Sequence, residues 1–227
     1  MNIRTCHFLF MLLLLVGLIG GCASFRSELG GAFNGDLKRN MNARPVSVLF
    51  IFSHVRQTIG YDAVPKLEDK YQILSGFDDI FLDAMREFSN VDRYATYTEY
   101  ASDVNHPERR AQRDSLIAGK NYTVQIRLKA EKRFSSYFLK TLVSTITLTL
   151  LPLPYTQSYS MEVTVYNHER KLVATYQRGA TLTKWVQPLL IFFYPFHPQQ
   201  RKREEIYLEF LHDTFRQIDS ERIFGGI

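Results

Sequence analysis

Residue types that commonly carry catalysis or bind metals are scattered along this chain. The histidines beyond the N-terminal apolar stretch are too far apart to form a pair at the spacing of helix or loop metal ligands: they are His54, His106, His168, His197 and His212. The sequence contains no Gly-x-Ser-x-Gly elbow, phosphate-binding glycine loop or dinucleotide fingerprint. It therefore predicts a protein with no catalytic residues, no metal ligands and no cofactor.

Two charged clusters are the next candidates for a site. Asp78 and Asp79 stand at the start of a predicted helix, where carboxylates favour the positive end of the helix dipole, so a capping role is expected. The basic triplet at 201–203 begins another predicted helix, where positive charge is unfavourable. The triplet is therefore either a solvated surface or a contact for an acidic headgroup or partner.

Cys22 is the one residue for which the sequence predicts a defined chemical event. It follows an apolar run that lacks Lys, Arg, Asp and Glu, and Cys6 inside that run is the other cysteine of the chain. The segment Ile19-Gly20-Gly21-Cys22 resembles the lipobox of a bacterial lipoprotein signal sequence. The resemblance implies cleavage between Gly21 and Cys22, with Cys22 as the lipidated first residue and the lipid as the contact with the membrane.

The residues after Cys22 are Ala23 and Ser24 rather than Asp. In lipoproteins of double-membraned bacteria, this implies sorting to the outer membrane, facing the periplasm. Two other interpretations of the N-terminus stay open. Ordinary cleavage at the small residues around Cys22 would release the protein, and an uncleaved segment of roughly 20 apolar residues would remain as a spanning anchor.

Composition and charge limit the remaining classes. The chain has 45% hydrophobic and 22% charged residues, which is typical of globular proteins. Its net charge of +5 is mild and includes no long basic run, so nucleic-acid binding is not predicted. We expect a signal peptide over residues 1–21, a lipidated N-terminus and tether over 22–44, and a single α/β domain over 45–227.

Hydrophobic periodicity predicts the elements of that domain. The predicted strands are Val46–Phe52, Arg93–Thr98, Tyr122–Ala130, Tyr159–Tyr166 and Lys171–Gln177, the first buried on both faces and the last two paired as a hairpin. The predicted helices begin at Ser75, with Ser75 as the cap, at Pro107 and at Gln199. This order predicts an α/β, or α+β-like, fold: a mixed sheet with helices mainly on one face and two apolar insertions.

The order of elements, with its hairpin, resembles the periplasmic α/β domains of the TolB N-terminal type and of CsgG-like secretion lipoproteins. CsgG-like proteins extend parts of such a domain into membrane-spanning hairpins when they oligomerise. That resemblance implies an alternative function for this chain, as a subunit of an oligomeric secretion or pore assembly.

The two apolar insertions are Phe138–Pro154 and Trp185–Phe196. Leucines alternate with threonines over Leu142–Leu151, which predicts a strand with one apolar face. Core packing, contact with a membrane or partner, and membrane spanning all remain possible for these insertions. The residues that we expect to contact a membrane or partner are Leu148, Leu150, Trp185, Phe192, Phe193, Tyr194 and Phe196.

The sequence thus predicts a non-enzymatic, membrane-anchored envelope lipoprotein that acts as an interaction or assembly module through its apolar segments. Its expected partners are the membrane and either another envelope protein or further copies of itself. Besides the assembly subunit, a periplasmic enzyme of unknown chemistry is a second alternative.

Overall fold

A computed structural model describes residues 22–35, 44–70, 74–147, 151, 153–186 and 199–225 of the chain. Within these ranges, seven strands form one sheet. They are β1 (Cys22–Arg26), β2 (Val46–Ile59), β3 (Lys66–Leu67), β4 (Val91–Glu99), β5 (Tyr122–Arg133), β6 (Leu153–Asn167) and β7 (Leu172–Val186). The predicted signal peptide and the side chain of Cys22 lie outside the described residues.

The sheet is mixed, as predicted. Its strand order is β1-β7-β6-β5-β2, and β4 and β3 share the outer edge of β2. Strand β2 runs parallel to β4 and β5, whereas β5, β6, β7 and β1 are antiparallel neighbours. The parallel pairs follow from two helical crossovers, because parallel neighbours cannot be joined by a tight turn.

The described helices are α1 (Phe77–Ala84), α2 (Pro107–Ala118), α3 (Phe134–Ile146) and α4 (Gln199–Ser220). Helices α1 and α4 cover one face of the sheet, where the Phe50 ring lies 5.1 Å from Phe81 and 5.6 Å from Phe215. Helix α2 packs on the opposite face, over Leu49 and its neighbours in β2 and β4. Strand β2 is therefore buried on both faces, which confirms the interpretation of its continuous apolar run.

Two local predictions are wrong. The cap of α1 is Gly76, at φ 80°, and no side chain bonds to the helix start, so Ser75 is not the cap. The predicted tether over 22–44 includes β1, which pairs with β7 from Cys22 opposite Val186 onward. An edge strand held by main-chain hydrogen bonds needs no apolar periodicity, which is why composition alone indicated a tether.

The predicted strand over Leu142–Leu151 is also wrong as far as the structure describes it, because α3 continues to Ile146. The threonines that suggested a strand satisfy their hydroxyls inside the helix. Thr141 Oγ1 donates to the Tyr137 carbonyl at 2.8 Å, and Thr145 Oγ1 to the Thr141 carbonyl at 2.9 Å. The strand on which a membrane-spanning hairpin would depend is thus helical in its first half.

Candidate functional site

One end of the sheet gathers several of the residues that the sequence singled out. Cys22 of β1 lies opposite Val186 of β7, and Val186 lies opposite Leu153 of β6. Strand β5 ends at the same side and continues directly into α3. We call this side the α3 end of the domain.

Trp185 lies at the α3 end, between Ala23 of β1 and Pro154 of β6 in the strand register. The structure therefore brings the backbone of Cys22 and one predicted contact residue to the same place. The other predicted contact residues lie outside the described ranges: they are Leu148, Leu150, Phe192, Phe193, Tyr194 and Phe196.

Helix α3 carries its apolar residues on the outside. Leu139 is 59% exposed and Ile146 is 73% exposed, and Phe138 and Leu142 are exposed with them. The side that faces the sheet is polar or aromatic, since Ser144 is buried there and the Tyr137 ring packs 5.3 Å from Tyr155. A helix on the surface of a soluble globular protein normally shows the reverse arrangement.

A cleft of about 510 Å³ lies behind α3. It occupies the core face of the sheet where the strands continue past the N-terminus of α4. His54, Tyr159 and Tyr207 line its inner part and are each at least 94% buried. Arg203 of α4 lines the cleft as well.

The cleft is strongly positive. Its charged lining residues are Arg56, Lys132, Lys184 and Arg203 against one carboxylate, Glu68. That carboxylate is already paired, because Glu68 Oε1 lies 2.6 Å from Nη2 of Arg56. The Lys132 ammonium lies 5.4 Å from the centre of the Tyr137 ring, a cation–π distance.

Two buried nitrogens in the cleft have no hydrogen-bond partner among the described residues, Nε2 of His54 and Nε of Arg203. Burial, and secondly the charge of Arg203, lower the pKa of His54 to about 4, so this imidazole is neutral near pH 7. Burial raises the pKa of Tyr159 to about 12 and that of Tyr207 further still. The cleft therefore offers cations and protonated hydroxyls, which suit an anion.

The remaining polar clusters of the described chain are paired within themselves. The guanidinium of buried Arg178 donates to Asp213 and Gln217, both at 2.5 Å. His212 lies 2.8 Å from Glu87 and 3.2 Å from Asp83. These contacts join α4 to β7 and to the α1 segment, and they serve the fold.

Nothing in the described ranges groups three or more His, Cys, Asp or Glu side chains so that they could hold a metal ion. Of the histidines considered from the sequence, His54 alone lines the cleft, and His197 lies outside the described residues. One feature of the sequence could have indicated the cleft. On the face of β5 that carries apolar Leu128 and Ala130, the next residue is the charged Lys132. None of the described helices is both long enough and apolar enough to cross a membrane.

No protein-family model matches the chain, and no curated protein matches it. Among solved structures, the chain is similar to the PelC dodecamer from Paraburkholderia phytofirmans, with 10% identity and a TM-score of 0.29 over 85% of this chain and 96% of that chain. A single-substitution variant of the same dodecamer gives 12% identity with the same TM-score and coverage. Similarity at this level carries no conclusion about this chain.

Proposed function

We propose that this chain is a non-enzymatic, membrane-anchored module of the bacterial envelope whose α3 end lies against the bilayer surface. The observation that carries the proposal is the outward apolar face of α3. An apolar helix face that is left open to solvent is characteristic of a surface that contacts lipid or another protein.

The position of Cys22 favours lipid as the contact. Strand β1 begins at Cys22 itself, so a lipid on that residue would leave no tether between the bilayer and the sheet. The domain would then be held with its α3 end against the membrane, because Cys22 is paired with Val186 at that end. The exposed face of α3 would meet the headgroup region without any change of fold.

The dimensions of α3 suit a helix that lies along the surface. Its 13 residues span about 20 Å at 1.5 Å per residue, less than the roughly 30 Å of the hydrocarbon core. Arg133, the exposed residue directly before the first turn of α3, can reach anionic headgroups while the apolar face enters the interface. Burying the exposed parts of Leu139 and Ile146 is worth about 3 kcal/mol together, from roughly 2 kcal/mol per fully buried side chain.

Trp185, the single tryptophan of the chain, provides an intrinsic probe of this contact. In full-length protein reconstituted into phosphatidylcholine vesicles, we expect brominated acyl chains to quench Trp185 fluorescence. The double substitution Leu139→Ser with Ile146→Ser should reduce the ratio of docked to undocked domain by up to about 100-fold, since 3 kcal/mol is about two powers of ten.

A matched control lies at the opposite end of the sheet. Leu172 and Val173 are also exposed, and they begin β7 at the end away from Val186. Replacing both with serine should leave Trp185 quenching unchanged. The proposal fails if wild-type Trp185 is not quenched, or if the α3 and β7 variants lose quenching equally. Retention of every variant on the vesicles would separate loss of docking from loss of the anchor.

A further inference from the structure

We infer that the cleft behind α3 is a binding site for a phosphate ester, held by Arg203, Lys132 and Lys184. The inference goes beyond the proposed function, since a soluble phosphate ester tests it without a bilayer. Either a lipid headgroup or a small metabolite could supply this chemistry, and the experiment below distinguishes the two sources.

Arg203 is the first support. Its Nε–H donor is buried and has no acceptor among the described residues. A buried donor on a charged group is costly to leave unpaired, so a native site usually supplies an acceptor for it. The planar guanidinium fork matches two oxygens of a phosphate group, which makes a phosphate ester a fitting acceptor.

The lysines are the second support. Lys132 ends the core-facing row of β5, and Lys184 lies directly opposite Tyr155 in the pairing of β7 with β6. Glu68 is the one carboxylate among the described lining residues, and it is paired with Arg56. Lys132, Lys184 and Arg203 therefore have no carboxylate partner within the described lining. Three positive charges from three different elements thus line one concave surface, and an anion there would offset their mutual repulsion.

The neutral groups of the cleft indicate an ester rather than inorganic phosphate. A volume of about 510 Å³ is within the range of small-molecule sites and larger than a phosphate ion requires. The rings of Tyr137 and Tyr155, 5.3 Å apart, provide apolar surface for the organic part of a ligand. Tyr159 and Tyr207 remain protonated and can donate hydrogen bonds to phosphate or hydroxyl oxygens.

The test uses two probes that carry the same phosphomonoester. One is sn-glycerol 3-phosphate, and the other is its acylated form, short-chain dihexanoyl phosphatidic acid. Each is titrated by calorimetry into the full-length protein in neutral maltoside micelles, with protein-free micelles as the blank. We expect Arg203→Gln to weaken binding about tenfold or more, in line with the loss of a charge-assisted hydrogen bond.

Two further variants keep the test informative if Arg203→Gln disturbs α4. The double substitution Lys132→Gln with Lys184→Gln changes half-buried residues at strand ends and should also weaken binding about tenfold or more. Its control, Lys120→Gln with Arg127→Gln, removes the same charge from outside the cleft and should bind like the wild type.

Variant-sensitive binding of glycerol 3-phosphate supports a site for soluble phosphate esters. Variant-sensitive binding of phosphatidic acid alone supports a headgroup site. The inference is overturned if neither probe binds, or if the cleft and control doubles bind alike. Neither result bears on docking, which is measured with phosphatidylcholine vesicles and changes in α3.

Discussion

Mild acid is expected to destabilise the fold through His54. This imidazole is 97% buried, its ring lies 4.8 Å from that of Phe77, and its Nε2 has no partner among the described residues. Burial, and then the nearby charge of Arg203, hold its pKa at about 4 instead of 6.5. Between pH 4 and pH 6.5, the exposed imidazole of the unfolded chain is protonated, whereas the buried imidazole of the folded chain is neutral.

The sign and size of the effect follow from this difference. Stability should be highest above pH 6.5, should fall as the pH drops from 6.5 towards 4, and should lose nothing more through His54 below that. The difference between a pKa of 6.5 and one of about 4 corresponds to about 3 kcal/mol over the full window. About 2 kcal/mol of this should be lost between about pH 7 and pH 5, where most carboxylates are still ionised.

Urea unfolding of the full chain in neutral maltoside, followed by Trp185 fluorescence, measures this loss. His54→Gln should lower stability at neutral pH, because it alters a packed site, but it should flatten the pH dependence by about 2 kcal/mol between those two pH values. His168→Gln changes an exposed histidine in the turn between β6 and β7 and should keep the wild-type slope. If the curves of the wild type and His54→Gln run parallel with pH, the reasoning is refuted.

Two further predictions concern the contacts of β7 with α4 and with the segment after β1. Asp213→Asn should destabilise the fold by about 3 kcal/mol, because it leaves the buried charge of Arg178 without a counter-charge. Urea unfolding checks this, with Glu28→Gln as the exposed control. Gly31→Ala should cost more than Gly76→Ala in the same assay: both glycines have positive φ, but only at Gly31 would a Cβ come within 2.8 Å of a backbone oxygen. Equal costs would show that the segment around Gly31 is not packed on β7.

The sequence predicted most of the helices and strands of the domain, because positions that are buried in the fold carry apolar residues. Strand β2 is apolar on both faces since helices cover both, and the spacing in α4 places Phe210 and Phe215 in the core. Helix α2 begins at Pro107, the residue predicted for its start. In these elements, local propensity and tertiary packing favour the same structure.

The elements that were predicted wrongly are those in which local sequence and tertiary packing favour different structures. The alternation in α3 has a period near two over Leu142–Leu151, yet its outward apolar residues do not have to satisfy a core, so the helix can place them on the exposed side. Strand β1 depends on a partner far along the chain, since Cys22 pairs with Val186, and no window of local sequence contains that information. The cleft was missed for the same reason, because its cations come from β2, β5, β7 and α4.

The position of α3 links the two proposals. Its outer side carries Leu139 and Ile146, whereas its inner side contributes Tyr137 and Thr141 to the cleft. A helix that lies in the headgroup layer with its outer side towards the acyl chains would therefore hold the cleft at the depth of lipid phosphates. The basic start of α4, unfavourable for the helix by itself, would then have a physical reason, because Arg203 would face the layer richest in phosphate. If both proposals hold, phosphatidic acid should bind more tightly than glycerol 3-phosphate, and the α3 variants should reduce this preference without changing affinity for the soluble ester.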